Sequence, residues 1–415
     1  MMRIAFIIRR KNYYRLLGPA VEEGLRRGWR VECWHDWSQP RGGAKGSEFP
    51  DAAPAMAAGA AKVRSFDGFE DLAARFRAEP PDVVVTLDAP DGRVRSASDA
   101  RWLWLQYGAD ILFEPTPQGF FDADAVGGYS ACWRERLEAR YQDADAASEI
   151  RAKMRVTGMP ELDAVRRIDP DEVRARLGLP RDRPIVLYLS FPLASNPPTF
   201  WLRSIFRPST RLGMAARTLL AGRWDHWTDV RRGWNDRGLV EAVRAFCNRA
   251  GAALVMKSRL KDPIPRYARR RADRAFYDLS HYPPTILELL SVATLCIHAY
   301  STTVLEAAYS GVPSLCLAPT DAAMGQARFA SELVHNLEPG WIYNWPGVAY
   351  GASLGDAYGG LARWTLDDFP FEAAARRAYV ERFLGFDDGG SSARLLDLAR
   401  EIACAAPTAA ATSRT

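Results

Sequence analysis

Residues 291–317 read SVATLCIHAYSTTVLEAAYSGVPSLCL. An apolar run, Val292 to Ala299, leads into the hydroxyl cluster Ser301-Thr302-Thr303. A helical pattern then carries Glu306 and stops at Gly311, and Val312-Pro313 opens a second apolar run, Ser314 to Leu317. The order is strand, tight turn, helix, glycine stop, strand. In such a unit the hydroxyls meet free backbone N–H groups and the positive end of the helix dipole, at the carboxyl edge of a parallel strand. That combination suits an anion. Thr303-x-x-Glu306 is equally the spacing of a capping box, and spacing alone supports both readings.

Outward from this unit, the second half of the chain keeps the same alternation. Ile185 to Leu189 reads as a strand, Leu239 to Ala250 as a helix and Ala252 to Lys257 as a strand. A basic helix is expected over Pro265 to Phe276, then a Tyr282-Pro-Pro turn and a helix opened by a Thr285-x-x-Glu288 capping box. The segment 192–235 interrupts the pattern with Trp201, Trp224, Trp227, Trp234 and many arginines. Aromatic faces stack on sugars and guanidinium groups bind phosphates, so it suits an acceptor glycan or a membrane surface; a packed excursion is the plainer alternative.

The first half alternates too. Strands are expected at Ile4 to Ile8, Trp29 to Trp34, near Val63, at Asp82 to Leu87 and at Arg101 to Gln106, with helices at Leu16 to Arg27 and Phe69 to Phe76. Residues 38–61 read as a loop. This is an α/β chain of two Rossmann-like domains: 1–154, then 155–390 carrying the insert. A closing helix at 391–406 and a disordered tail at 407–415 follow. The cleft between the domains is the natural site.

With 415 residues, two domains are also what chain length favours. Hydrophobic content of 48% and charged content of 25% are those of an ordinary globular protein, and a net charge of +5 does not suggest a nucleic-acid partner. The six cysteines lack metal spacing and fit buried thiols in a reducing cytoplasm. No apolar run approaches the ~20 residues of a membrane span, and MMRIAFIIRR reads as a first strand, not a leader.

VTGMPELDAV at 156–165 and LGLPRDRPIVLYLS at 177–190 resemble the interdomain hinge and first C-terminal strand of GT-B-fold enzymes. VMKSRLKDP at 255–263, the Ser301–Gly311 element and FDDGGSSARLLDL near the end resemble further elements of that superfamily. The relatives similar in pattern are Kdo (3-deoxy-manno-octulosonic acid) transferases of surface polysaccharides, CDP-glycerol glycerophosphotransferases and UDP-N-acetylglucosamine 2-epimerases.

The resemblance implies a nucleotide-activated sugar donor, CMP-Kdo among the candidates, held mainly by the second domain. Ser301, Thr302 and Thr303 would meet the phosphate, and Glu306 would accept from ribose or sugar hydroxyls. Lys257 and Arg259 would neutralise charge on the departing nucleotide, without a metal or other cofactor. The chain departs from the pattern where a histidine is expected at Ser258. His298 is then either a phosphate contact or a core histidine, and His281 either lines the base pocket or stabilises a turn.

LWLQYGADILFEP at 103–115 resembles a functional strand end of the first domain, where Gln106 and Tyr107 would meet substrate. Tyr107 stands where relatives carry histidine, and a phenol is a poor base near neutrality. The base would be Asp110, with Asp88 and Asp91 of TLDAPDG as alternatives. The expected activity is glycosyl transfer to a surface-polysaccharide or lipid-linked acceptor, in the cytoplasm or at the inner face of the membrane. Alternatives are a 2-epimerase, a CDP-glycerol-type phosphotransferase or a non-catalytic binding relative. Against the epimerase, only His35 lies in the first 225 residues.

Overall fold

The computed structural model describes residues 1–38, 52–108, 122–141, 143–189, 236–258, 264, 266–318, 334 and 336–405. Asp110, Arg259, the 192–235 insert and the tail from Pro407 lie outside the described residues.

Among the described residues, thirteen strands form two parallel sheets. The first contains β1 (Arg3–Ile8), β2 (Arg30–Asp36), β3 (Lys62–Phe66), β4 (Val83–Thr86), β5 (Arg101–Leu105), β6 (Ala125–Gly128) and β7 (Met154–Val156), in spatial order 3-2-1-4-5-6-7. The second contains β8 (Ile185–Leu189), β9 (Ala253–Lys257), β10 (Arg274–Phe276), β11 (Leu295–His298), β12 (Ser314–Ala318) and β13 (Ala349–Ser353), in order 10-9-8-11-12-13. Both are doubly wound. Strand order reverses between β1 and β4 in one sheet and between β8 and β11 in the other, and such switch points open a crevice at the carboxyl ends of the strands.

The strands read as continuous apolar runs because helices cover both faces: β1, β4 and β12 are buried at every position. Several edges differ from the sequence reading. The expected basic helix over Pro265 to Phe276 is a short turn of helix, Arg266–Arg269, followed by edge strand β10. Three residues of strand are too few for their alternation to show against the run of arginines. β6 (AVGG) and β13 (AYGAS) carry little hydrophobic signal and were not anticipated. Arg155 and Val156, expected to open the second domain, instead complete the first sheet by pairing with Gly127 and Gly128.

Thr285 and Glu288 form no capping box. The Thr285 hydroxyl accepts from the N–H groups of Leu279 and Ser280, while Glu288 pairs with Arg176 at 2.7 Å.

The chain crosses between domains more than once. The hinge helix Pro160–Arg167 is a 3-10 helix packed against α1 (Tyr13–Arg26). The closing helix Ser391–Cys404 returns to the first domain, where Leu395, Leu396, Leu398 and Ala399 join the core formed by β1, α1 and β4. Asp163 of the hinge helix ties it down by accepting from the Ser391 and Ser392 N–H groups at 3.2 and 2.7 Å.

Leu395 is fully buried although it belongs to the last helix of the chain. Leu395→Ala should therefore lower unfolding free energy by about 2–4 kcal/mol, the scale of a buried leucine truncation. Denaturant titration measures this, and a loss below about 1 kcal/mol would mean that the closing helix is not part of the first domain's core.

Candidate functional site

The two switch points face a common cleft, and α1 reaches across it. Arg15, in the first turn of α1, donates through Nε to Glu161 of the hinge helix and through Nη2 to Glu306 of the second domain. Both carboxylates are fully buried, and the second oxygen of each has no hydrogen-bond partner. Burial lowers the proton affinity of Arg15, but Glu161 and Glu306 beside it outweigh that and raise it. Burial pushes Glu161 up to about 8; Arg15 opposes the rise and Glu306 adds to it. The site is thus two buried carboxyl groups sharing one guanidinium.

Lys257 ends β9 nearby. It is 6% exposed and pairs with Asp278 at 2.6 Å. Burial depresses its proton affinity, Asp278 opposes that, and Arg15 deepens it. His281 lies within electrostatic reach of Asp278, Lys11, Arg15 and Lys257, and burial lowers its pKa first of all. Lys257, Arg15 and Lys11 therefore bring positive charge from both domains around a His281 whose protonation burial disfavours, and both Arg15 and Lys257 act on Glu306.

The Ser301–Thr303 turn proves more self-contained than its spacing suggests. Tyr300 has a positive φ of 39°, a conformation that costs a bulky residue energy and tends to occur where backbone is held for a purpose. The Ser301 hydroxyl accepts from the Thr303 N–H at 3.2 Å, and the Val304 and Leu305 N–H groups bond to the carbonyls of Ser301 and Thr302. The helix that follows, Thr303–Tyr309, has only 7 residues. The expected Thr303–Glu306 box does not form: no side chain caps the helix at Thr302, and the Glu306 carboxylate is turned to Arg15 instead.

The remaining sequence candidates separate clearly. His298 is fully buried; its Nδ1 accepts from the Ser301 N–H at 3.3 Å, Nε2 has no partner, and burial lowers its pKa to about 3. It is a neutral histidine supporting the turn. Gln106 is fully buried and spends its amide on backbone, accepting from Tyr129 at 2.9 Å and donating to Gly108 at 3.2 Å. Asp88 accepts from Tyr13 Oη at 2.9 Å and faces Arg9 at 3.6 Å, at the first domain's switch point. The Tyr107 ring lies 6.2 Å from that of Tyr13. Asp91 caps the short helix Gly92–Arg95 and pairs with Arg93 at 2.9 Å.

Arg15, Glu161 and Asp278 were missed from sequence. The available signal was Arg15 itself, a charge adjoining the apolar Leu16 and Leu17 at the start of α1.

No family model matches the chain, and no curated protein does. Solved structures do. The wall teichoic acid polymerase TagF matches with a TM-score of 0.55 and 13% identity, over 97% of this chain and 88% of that one. The likeness spans both sheets. The chain has the GT-B fold. An S. aureus MnaA–UDP structure matches with a TM-score of 0.55 and 12% identity, over 97% of each chain. A putative UDP-N-acetylglucosamine 2-epimerase from Listeria monocytogenes matches with 0.55 and 13%, over 97% and 96%. At these identities the likeness is one of fold.

The buried groups set a pH dependence with opposite signs. The folded chain keeps Glu161 protonated up to about 8, whereas the unfolded chain loses that proton near 4.5, so this contribution to stability fades as pH rises from about 4.5 to about 8. His298 acts the other way: the unfolded chain gains a proton below 6.5 and the folded chain does not until about 3, so its contribution fades as pH falls. Melting temperatures at pH 5, 6.5 and 8 check both. Glu161→Gln should flatten the alkaline decline, and a decline identical to wild type would contradict the assignment.

Proposed function

We propose that the chain is a nucleotide-sugar-dependent glycosyltransferase that binds its donor at the second-domain switch point. The observation that carries this is the convergence of Lys257, His281 and Glu306 on the cleft at the carboxyl ends of β9 and β11, in a GT-B framework. TagF is named as a polymerase, and MnaA was solved with UDP. A donor carrying a nucleoside phosphate suits the same region here.

Glu306 would accept hydrogen bonds from the ribose or sugar hydroxyls. The hydroxyls of Ser301, Thr302 and Thr303 would contact the phosphate. Because the first N–H groups of that helix are already bonded, most of the charge neutralisation falls to Lys257, with Arg259, two positions on in the sequence, as a further candidate. A base deprotonates the acceptor hydroxyl, whose oxygen attacks the anomeric carbon while the nucleotide leaves with the bonding electron pair. Asp110 remains our candidate base; Asp88, engaged by Tyr13 and Arg9, is second. No group of metal-ligating side chains occurs among the described residues, and transfer without a metal is proposed. The acceptor is a surface-polysaccharide or lipid-linked glycan, with the Trp- and Arg-rich insert available to hold it or a membrane surface. No helix among the described residues is long and apolar enough to cross a membrane.

A 2-epimerase is the second reading, favoured by the two epimerase-like matches. Incubating the protein with UDP-, CMP- and CDP-linked donors, with and without a polysaccharide acceptor, distinguishes them. Transfer releases nucleotide only when acceptor is present; epimerisation interconverts the sugar with no acceptor; no turnover of any donor would overturn both.

Two variants refine this. Asp110→Asn should cut turnover about 10²-fold or more while leaving nucleotide affinity nearly intact, as expected for loss of a general base. Activity should persist in EDTA; complete and reversible loss on chelation would contradict the metal-independent mechanism.

A further inference from the structure

α1 carries a polar stripe that the donor site does not account for. Arg15, Gly18 and Glu22 fall at i, i+3 and i+7, hence on one face of the helix. That face lies against the second domain. At one end Arg15 is bonded to Glu161 of the hinge helix and Glu306 of the second domain. Two turns along, Glu22 accepts from Arg167 of the hinge helix and from Tyr282 Oη of the second domain, and Arg167 also reaches Tyr282 Oη at 2.8 Å.

Between these staples a Cβ on Gly18 would lie 2.5 Å from Cδ2 of the Tyr282 ring. The charges are complementary end to end: positive then negative on α1, negative then positive on the hinge helix. Each staple recruits one second-domain residue, and glycine between them lets the Tyr282 ring approach the helix backbone.

We propose that this stripe is a latch that holds the cleft closed in the unliganded chain, and that a nucleotide must release it to reach Glu306. The reason is competition at one carboxylate. Glu306 is fully buried, and one of its oxygens is taken by Arg15 from the opposite domain. A ribose hydroxyl that bonds to Glu306 needs the carboxylate uncovered, so part of the binding free energy goes into separating α1 from the second domain. A chain that is mostly latched binds nucleotide more weakly than its open form, by the fraction that is open. This inference rests on the donor site proposed above only for the ligand; the latch itself rests on the contacts of α1.

The test uses three variants of the full chain: Arg15→Gln, Glu22→Gln and Gly18→Ala. Gly18→Ala informs because alanine favours a helix over glycine, so any loosening it causes arises at the Tyr282 contact, not within α1. Small-angle scattering of the unliganded proteins should show a larger radius of gyration in each variant, with circular dichroism confirming that all remain folded. Calorimetric titration with UDP and CDP should show about tenfold tighter binding in Glu22→Gln and Gly18→Ala, neither of which touches Glu306.

An unchanged radius of gyration in all three variants would overturn the latch. So would a larger radius accompanied by unchanged or weaker nucleotide affinity in Glu22→Gln and Gly18→Ala, because release would then not be coupled to binding. If no nucleotide binds wild type or any variant, the proposed donor site fails, while scattering still decides whether α1 holds the domains together.

Discussion

A single guanidinium between two buried carboxylates organises the centre of this molecule. Arg15 comes from the first domain, Glu161 from the hinge and Glu306 from the second domain, so the pairing requires all three in register. Two carboxyl groups stripped of water cannot both ionise beside one cation without cost. The folded chain answers partly by holding the Glu161 proton and partly by placing Lys257 within electrostatic reach. The rest of the cleft follows from this arrangement. The hinge helix is pinned to α1 on one side and to the closing helix through Asp163 on the other, which fixes the direction in which the two sheets face.

The same constraint changes how the candidate donor site works. From the spacing of Ser301-Thr302-Thr303, a helix N-terminus would be expected to supply the anion-binding dipole. The helix is short and its first N–H groups are internally bonded, so that contribution is small. Positive charge is supplied instead by side chains held in low dielectric. Lys257 is paired with Asp278, which opposes the loss of charge that burial favours. A cation fixed by such a pair before a ligand arrives is in the condition under which it stabilises developing negative charge most strongly.

The fold was legible because its signal is repetitive. Alternating apolar runs and amphipathic helices, several of them ending at a glycine such as Gly28 or Gly311, identify parallel sheets before any motif is considered. Strands that failed to show, such as β6 with a single valine beside two glycines, have too few β-branched residues to carry the signal. The site was legible only in part. Lys257, His281 and Glu306 sit at strand ends and turns that the pattern picks out. Gln106 and Asp91 have the right residue type in the right place, yet their side chains are spent on local backbone. Contacts such as Arg15 with Glu306 join residues nearly three hundred positions apart, and nothing in local spacing encodes them.

Amide hydrogen exchange on addition of UDP or CDP tests most directly that the cleft-facing end of the second sheet holds a nucleotide. With either nucleotide at saturation, exchange should slow in the segments 253–258 and 301–309, at the ends of β9 and β11. Slowing confined to the first domain, or no change with either nucleotide, would contradict the account.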